Sequence, residues 1–584
     1  MTEHGRRCCL ALLLGICLVA GLNAQPSDTF VETVDVQVVE VDVVVTDRKG
    51  RPVNRLTRED FELYVDGRPV EIANFYESNV FSDWTEVETH PRTPAEDEPS
   101  VRAGSVNEDA LTIVFYLDDA NLYLANRTRL LRRLESAVEP WRTMNAHFML
   151  ARFENRVEVV VRPTRDLNAI LDGAAGRPKG LARAAQAGEA AWRFAIKSLI
   201  DSHEACTAML SCRPCNDNWG ALLSLARQYA DNAATNAAIA TDGLADLSTT
   251  LAGVPGKKAV VYVTDGLPQR PGISVFDYLG NQLCRDLRPS APSEAMSEIV
   301  QYDESRRFNR LAAHANANRV TFYSLDAAGV RDASPGISLD NQALAPNFQN
   351  VNLRAMNAQS GLHMVSSETG GKALVNANDV AILLDDVSTQ LAASYSLGFH
   401  AADRKPGEIR QVSVELARHA AKGRRIEYRR SYRDKSVDER LAERLLSFAY
   451  LGAAENPLRA RVGFAASKAL EKNVHELAVA VDVPAEAILA LPFRGEEAGQ
   501  LRLWLLAVRE DDGARTKVRQ KSLLVGGGSG VAAIDGAYRF EVAMKLPEGA
   551  YQVAVGVRDE TTGVTSLVRE PVSVPVPQAG AKAN

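Results

Sequence analysis

The stretch "YLDDANLY" (116–123) closes an apolar run and opens a helix-like one, which leaves two adjacent carboxylates, Asp118 and Asp119, on a strand-to-helix turn. Two kinds of chemistry suit them. Carboxylate oxygens are the ligands a hard divalent cation takes. An Asp at a helix start also accepts hydrogen bonds from the first free amides of that helix. A second cluster lies in "HEACTAMLSCRPC", which brings His203, Cys206, Cys212 and Cys215 close together. These ligand types suit tetrahedral zinc. Cys212 and Cys215 have the spacing of a redox pair. With Cys284 the three cysteines also make an even set for disulfides.

The compartment weighs on that choice. "MTEHGRR" is basic at its end, "CCLALLLGICLVAGL" is apolar, and small residues precede Gln25. This is the pattern of a secretory signal over residues 1–24, cut after Ala24. Its apolar run is shorter than the ~20 residues that span a bilayer. Cys8, Cys9 and Cys17 leave with it, and the remaining Cys206, Cys212, Cys215 and Cys284 are expected to form disulfides outside the cytoplasm. A redox Cys-x-x-Cys would follow a strand, whereas this one interrupts a helical stretch. No later segment reads as a membrane span, so a periplasmic or extracellular location is expected.

The 584 residues are too many for one core, and 46% hydrophobic with 24% charged residues is ordinary globular composition. A net charge of -7 lacks the basic excess of a nucleic-acid surface, and no nucleic-acid partner is expected.

The elements that must hold these residues follow from periodicity. "VDVQVVEVDVVVTD" and "FELYVDGRPVEIANFY" alternate with period two, the second broken by a hairpin at Asp66-Gly67. They place β-strands in 25–81. Residues 82–108 are polar, acidic and Pro-containing, a linker. From 109 to 393 strands and helices alternate. "ALTIVFYL" is a continuous apolar run, as in a central parallel strand buried on both faces. An α/β fold with a doubly wound, mostly parallel sheet is predicted. Strands return over 394–433. Each of the two flanking strand sets has a face to bury and is too small to stand alone, so they are predicted to pair, with the α/β unit inserted between them. A helical linker covers 434–469. A β-sandwich of immunoglobulin-like class covers 470–576, with Trp504 placed to fill the space between its sheets, and 577–584 is a disordered tail.

The middle third resembles the von Willebrand factor type A domain, on "TIVFYLDD", "KAVVYVTDG", "VTFYSLDAAGV" and "SETGGKAL". The flanks resemble those of VWFA-related proteins found in Acidobacteria, and the likeness spans about residues 34–433. In that family a divalent cation, usually magnesium, sits at the carboxyl ends of the strands. It is held by an Asp-x-Ser-x-Ser turn, a Thr from a second loop and an Asp from a third, with one position open to a partner's carboxylate. Asp118 matches the first Asp, while the two serines fall at Ala120 and Leu122. A frame shifted by one gives Asp119, Asn121 and Tyr123, where Asn121 offers a carbonyl oxygen. Asp265 matches the third-loop Asp. The Thr has no clear match, since Thr241 and Thr235 lie in a helical stretch. The resemblance implies an altered site of Asp118, Asp119, Asn121 and Asp265 for Mg2+, or Ca2+ or Mn2+. The helix-capping reading, with Asp265-Gly266 as a turn, stands beside it.

Other motifs carry less. "GGGSG" (526–530) lacks the Gly-Lys-Ser/Thr ending of a phosphate loop. "NRT" (126–128) lies at a helix start. Gly-x-Ser-x-Gly and His-Glu-x-x-His are both absent from the sequence. The expectation is an exported, non-enzymatic binding or adhesion-type protein that engages a protein or envelope ligand through the top face of the α/β domain. The alternative is a structural or assembly component of the envelope.

Overall fold

The computed structural model describes residues 38–79, 111–176, 218–285, 288–330, 348–401, 407–452, 455–465, 467–471, 473–489, 491–493, 496–526 and 531–576. The expected signal segment, linker and tail, and Cys206, Cys212 and Cys215, lie outside these residues.

The molecule is mixed α/β, with one six-stranded, mostly parallel sheet and several antiparallel sheets. The six strands are β5 (Leu111–Leu117), β6 (Ala146–Phe153), β7 (Val157–Thr164), β8 (Lys257–Thr264), β9 (Val320–Asp326) and β10 (Ala373–Leu374). They run in the order β10-β9-β8-β5-β6-β7, with only the β6–β7 pair antiparallel. Every residue of β5 is buried. Because side chains alternate along a strand, Ile113, Phe115 and Leu117 enter one core with Leu130 and Leu134 of the helix Leu124–Val138. Val114 and Tyr116 enter the other, with Leu244 and Leu247 of the long helix Trp219–Thr250. Helices therefore cover both faces. Strand order reverses between β5 and β8, and open α/β sheets bind ligands at the carboxyl ends of the strands at such a point.

The strands before and after this unit pair with each other. β1 (Val38–Asp47) lies between β11 (Ala393–His400) and β13 (Arg424–Tyr428), and β4 (Asn74–Asn79) borders β11. β12 (Ile409–Leu416) joins β2 (Phe61–Val65), which forms a hairpin with β3 (Arg68–Val70). The hairpin turn uses the predicted dipeptide, with Asp66 and Gly67 both at positive φ (49 and 76). The two sheets share one core: Val41 and Val43 on β1 meet Leu63 on β2, Leu397 on β11 and Val414 on β12. Tyr395 ties it to the loop, accepting from Leu56 N at 3.1 Å and donating to Val53 O at 2.7 Å.

Two further antiparallel sheets pack together at the C-terminal end. Alternate residues of β17 (Val474–Pro484), β19 (Glu496–Arg509) and β22 (Gly549–Asp559) supply their common core. The strands begin before 470, since β15 (Arg461–Phe464) pairs with β17. Trp504 does not lie between the sheets. Leu503 and Leu505 take that face, so period two sends Trp504 to the opposite one, against Leu441 and Leu445 of the helix Val437–Leu451. This helix is well defined locally. Ser436 and Glu439 form a reciprocal capping box, and Gly452 closes it in the left-handed region at φ 78. No helix among the described residues is long and apolar enough to cross a membrane.

Removing residues 38–79 uncovers the apolar faces of β11 and β12. The shortened chain is expected to aggregate in size-exclusion chromatography. A monomer with an unchanged melting temperature would contradict this packing.

Candidate functional site

Three strands end in acid or hydroxyl residues where the strand order reverses. Register aligns Leu117 with Val263 and Thr264 with Asp326, and Asp118 N donates to Val263 O at 3.0 Å. Asp118, Thr264 and Asp326 thus form a polar row across the ends of β5, β8 and β9. All three are buried, with exposures of 0%, 0% and 1%.

Asp118 is surrounded by donors. Its carboxylate accepts from Tyr262 Oη at 2.7 Å, Thr264 Oγ1 at 3.2 Å, Asn121 Nδ2 at 3.1 Å and Asn121 N at 3.3 Å. Burial pushes its pKa up to about 6, against the opposing pull of the Tyr262, Asn121 and Thr264 hydrogen bonds. The Tyr262 hydroxyl is held well above its usual value by burial and then by the Asp118 charge, so it stays a donor.

Asp119 has a different environment. Arg127 Nε donates to its Oδ1 at 2.7 Å, and Arg152 Nε lies 3.5 Å from Oδ2. Both arginines also reach the carbonyl of Gly176. Burial raises the Asp119 pKa, opposed by Arg127 and Arg152. The turn therefore sends neighbouring carboxylates to separate partners.

Asp265 serves the start of the helix Leu124–Val138. It accepts from Tyr123 N at 2.5 Å and Asn126 Nδ2 at 2.9 Å. Tyr123, the residue preceding that helix, has no side-chain cap of its own, and a carboxylate at a helix N-terminus is favoured by the dipole. The capping role thus belongs to Asp265, from another strand, rather than to Asp118 or Asp119. Gly266 follows at φ 136, where an added Cβ would sit 2.9 Å from Ala358 Cβ.

Of the four residues implied as cation ligands, Asp118 and Asn121 bond to each other, Asp265 lies beside them through the Asp265 N to Asn121 O bond at 3.2 Å, and Asp119 turns away. Among the described residues no three His, Cys, Asp or Glu side chains group as a ligand set. Asp118 meets hydrogen-bond donors on both oxygens, and this arrangement does not fit a resident cation. Thr241 and Thr235 bond back to their own helix, to Ala237 O and Asp231 O. The hydroxyls beside Asp118 come from Tyr262 and Thr264, which sequence reasoning missed. Alternation along "VVYVTDG" was the available signal, since 262 and 264 share a face. Asp326, also missed, accepts from Gln359 Nε2 at 2.9 Å and stands at a strand end as Asp118 does. Cys284 is fully buried, and the other cysteine candidates lie outside the described residues.

No protein-family model matches the chain, and no curated protein matches it. Among solved structures, the X-ray structure of Northeast Structural Genomics Consortium target SoR45 aligns at 14% identity over 21% of this chain and 91% of that one. Its TM-score is 0.15, which carries no argument about fold or function.

Two outcomes follow from the wiring. The folded Asp118 value, about 6, lies above the roughly 3.9 of an unfolded Asp. The native state then holds the proton more tightly. The stability linked to this group is fully present below about pH 4 and is lost as pH rises through 6, by about 3 kcal/mol. In chelator-containing buffer, the unfolding free-energy difference between wild type and Asp118→Asn should change by most of that amount, about 2 kcal/mol, from pH 4 to 7. A flat difference would mean that the carboxylate ionises without penalty.

Breaking the other pair is a separate test. Arg127→Met leaves a buried carboxylate short of its main partner and should cost about 3–5 kcal/mol in denaturant unfolding. The double variant Asp119→Leu/Arg127→Met should recover most of that loss.

Proposed function

We propose that this is an exported, non-enzymatic binding protein that engages a protein or cell-envelope ligand through the carboxyl-end face of the six-stranded sheet. The observation that carries the reading is the row Asp118–Thr264–Asp326 at the point where strand order reverses. Asp265 and the N-terminus of the helix Leu124–Val138 stand beside it. Loops at strand ends vary in chemistry while the sheet beneath stays rigid, which is what a recognition face needs. A mostly parallel sheet with helices on both faces supports the von Willebrand type A-like reading of the sequence. A divalent cation, in this reading, enters only if Asn121 swings its carbonyl oxygen inward and Asp118 gives up a donor, so cation affinity is weak and any adhesion is not strictly metal-dependent.

The second reading, a structural or assembly role, is favoured by one specific observation: the carboxylates Asp118 and Asp265 are hydrogen-bonded and Asp119 is ion-paired to Arg127 from within the chain.

Pull-down from native envelope extract, with Mg2+, Ca2+ or Mn2+ and with chelator, separates them. The binding reading expects a partner whose capture falls at least tenfold with the Asp118→Ala/Asp265→Ala variant, checked for folding by its melting curve. Capture that is unchanged by this variant under every condition would favour the structural role. Calorimetry with the three cations measures the metal dependence directly.

A further inference from the structure

The amino-terminal end of the same sheet carries a cleft of about 740 Å3, bounded by the helix Val437–Leu451 and reaching β23 (Thr565–Val574). Its floor is a polar row set by register. Lys258 on β8 stands beside Thr112 on β5, and Thr112 beside His147 on β6. Its opposite wall is apolar, with Leu441, Phe448 and Leu451 from the helix and Leu567 from β23.

Lys258 is only 4% exposed, and its Nζ donates to Val254 O at 2.9 Å. Burial pushes its amine well below the usual lysine value, and the charges of Arg319, Lys435 and Arg429 push the same way, with Glu443 opposing. The carboxylates of the cleft already have cationic partners, one of them, Arg444, in the cleft itself. Glu443 accepts from Lys435 at 2.7 Å, and Glu455 lies 3.5 Å from Arg444. Arg440 and Arg558 add further cations to the lining. A smaller cavity of about 60 Å3 adjoins it, sharing Lys258 and Arg319 and adding Lys257 and Arg429, with Asp42 as its carboxylate. Arg319 is paired with Glu40 at 2.7 Å and Arg558 lies 3.6 Å from Glu560, whereas Lys258 Nζ has a backbone carbonyl and, among the described residues, no carboxylate within ion-pair distance; a buried ammonium without a counter-charge is unfavourable.

We propose that this cleft binds an amphiphilic anion, a carboxylate or phosphate group on an apolar chain or ring body, with the anionic group at Lys258 and the apolar body against Leu441, Phe448 and Leu451. The volume is that of a small-molecule site, and an apolar wall with a few placed polar groups is how such sites orient a ligand. An anion at Lys258 restores the charged ammonium and gains a charge-assisted hydrogen bond. The site stands at the other end of the sheet from the Asp118 row and does not depend on the function proposed for that row.

The test is calorimetry on the full mature chain with dodecanoate, dodecyl phosphate, neutral dodecyl maltoside and acetate, each amphiphile below its micellar concentration. One or both amphiphilic anions should bind at one site per chain, and the maltoside and acetate should bind at least about tenfold more weakly. The preferred anion tells a carboxylate source from a phosphate source. Lys258→Met should lose about tenfold for the anions. A photoreactive dodecanoate should label 437–452 or 252–258, a readout that stands even where the variant does not fold. Absence of binding by both anions, equal binding of the maltoside, unchanged anion affinity in a folded Lys258→Met protein, or labelling confined to other segments would overturn the proposal.

Discussion

Burial of β5 on both faces is the constraint from which the rest of the α/β unit follows. From Ile113 to Leu117 every side chain is inside, three in one core and two in the other. A strand of this kind satisfies its backbone through neighbours on both sides, here β8 and β6 in parallel register. Parallel neighbours require crossovers, and crossovers put helices on both faces. Polar chemistry is then excluded from the middle of the strand and gathers at its ends, Asp118 at one and Thr112 at the other.

The acidic end shows how a buried carboxylate is tolerated in three ways. Asp118 is held by neutral donors and keeps a raised pKa, because hydrogen bonds compensate burial only in part. Asp119 is held by two guanidinium groups. Asp265 is held by backbone and amide donors at a helix start. The consequence is that each of these carboxylates is engaged by groups of the chain itself.

The helix Val437–Leu451 is the joint between the α/β unit and the C-terminal sheets. On one side Ser447 Oγ donates to Thr250 O at 2.7 Å and accepts from Gly253 N at 2.8 Å. An added Cβ on Gly253 would meet Arg444 Cα at 2.3 Å, so helix and loop are in close backbone contact. On the other side Leu441, Leu445 and Phe448 pack with Trp504 and Leu506. A space is left beside this helix, and the sheet presents its basic end there. The cleft is thus a by-product of the joint, lined by whatever the strand starts carry.

The sequence by itself determined the elements and their faces. The continuous apolar run of β5, the period-two strands on either side and the Asp66-Gly67 turn are local patterns, and local sterics and burial suffice to read them. It also placed Asp118 and Asp265 at strand ends. Tertiary structure decided what those side chains meet. β1 pairs with β11 across more than three hundred residues of chain, a choice settled by which apolar faces remain uncovered. Thr264, not Thr241, stands beside Asp118, because a hydroxyl inside a helix bonds back to its own turn whereas one on the neighbouring strand faces across. Trp504 packs on a helix because periodicity specifies that a side chain has a face, while only the arrangement of layers specifies what lies against it.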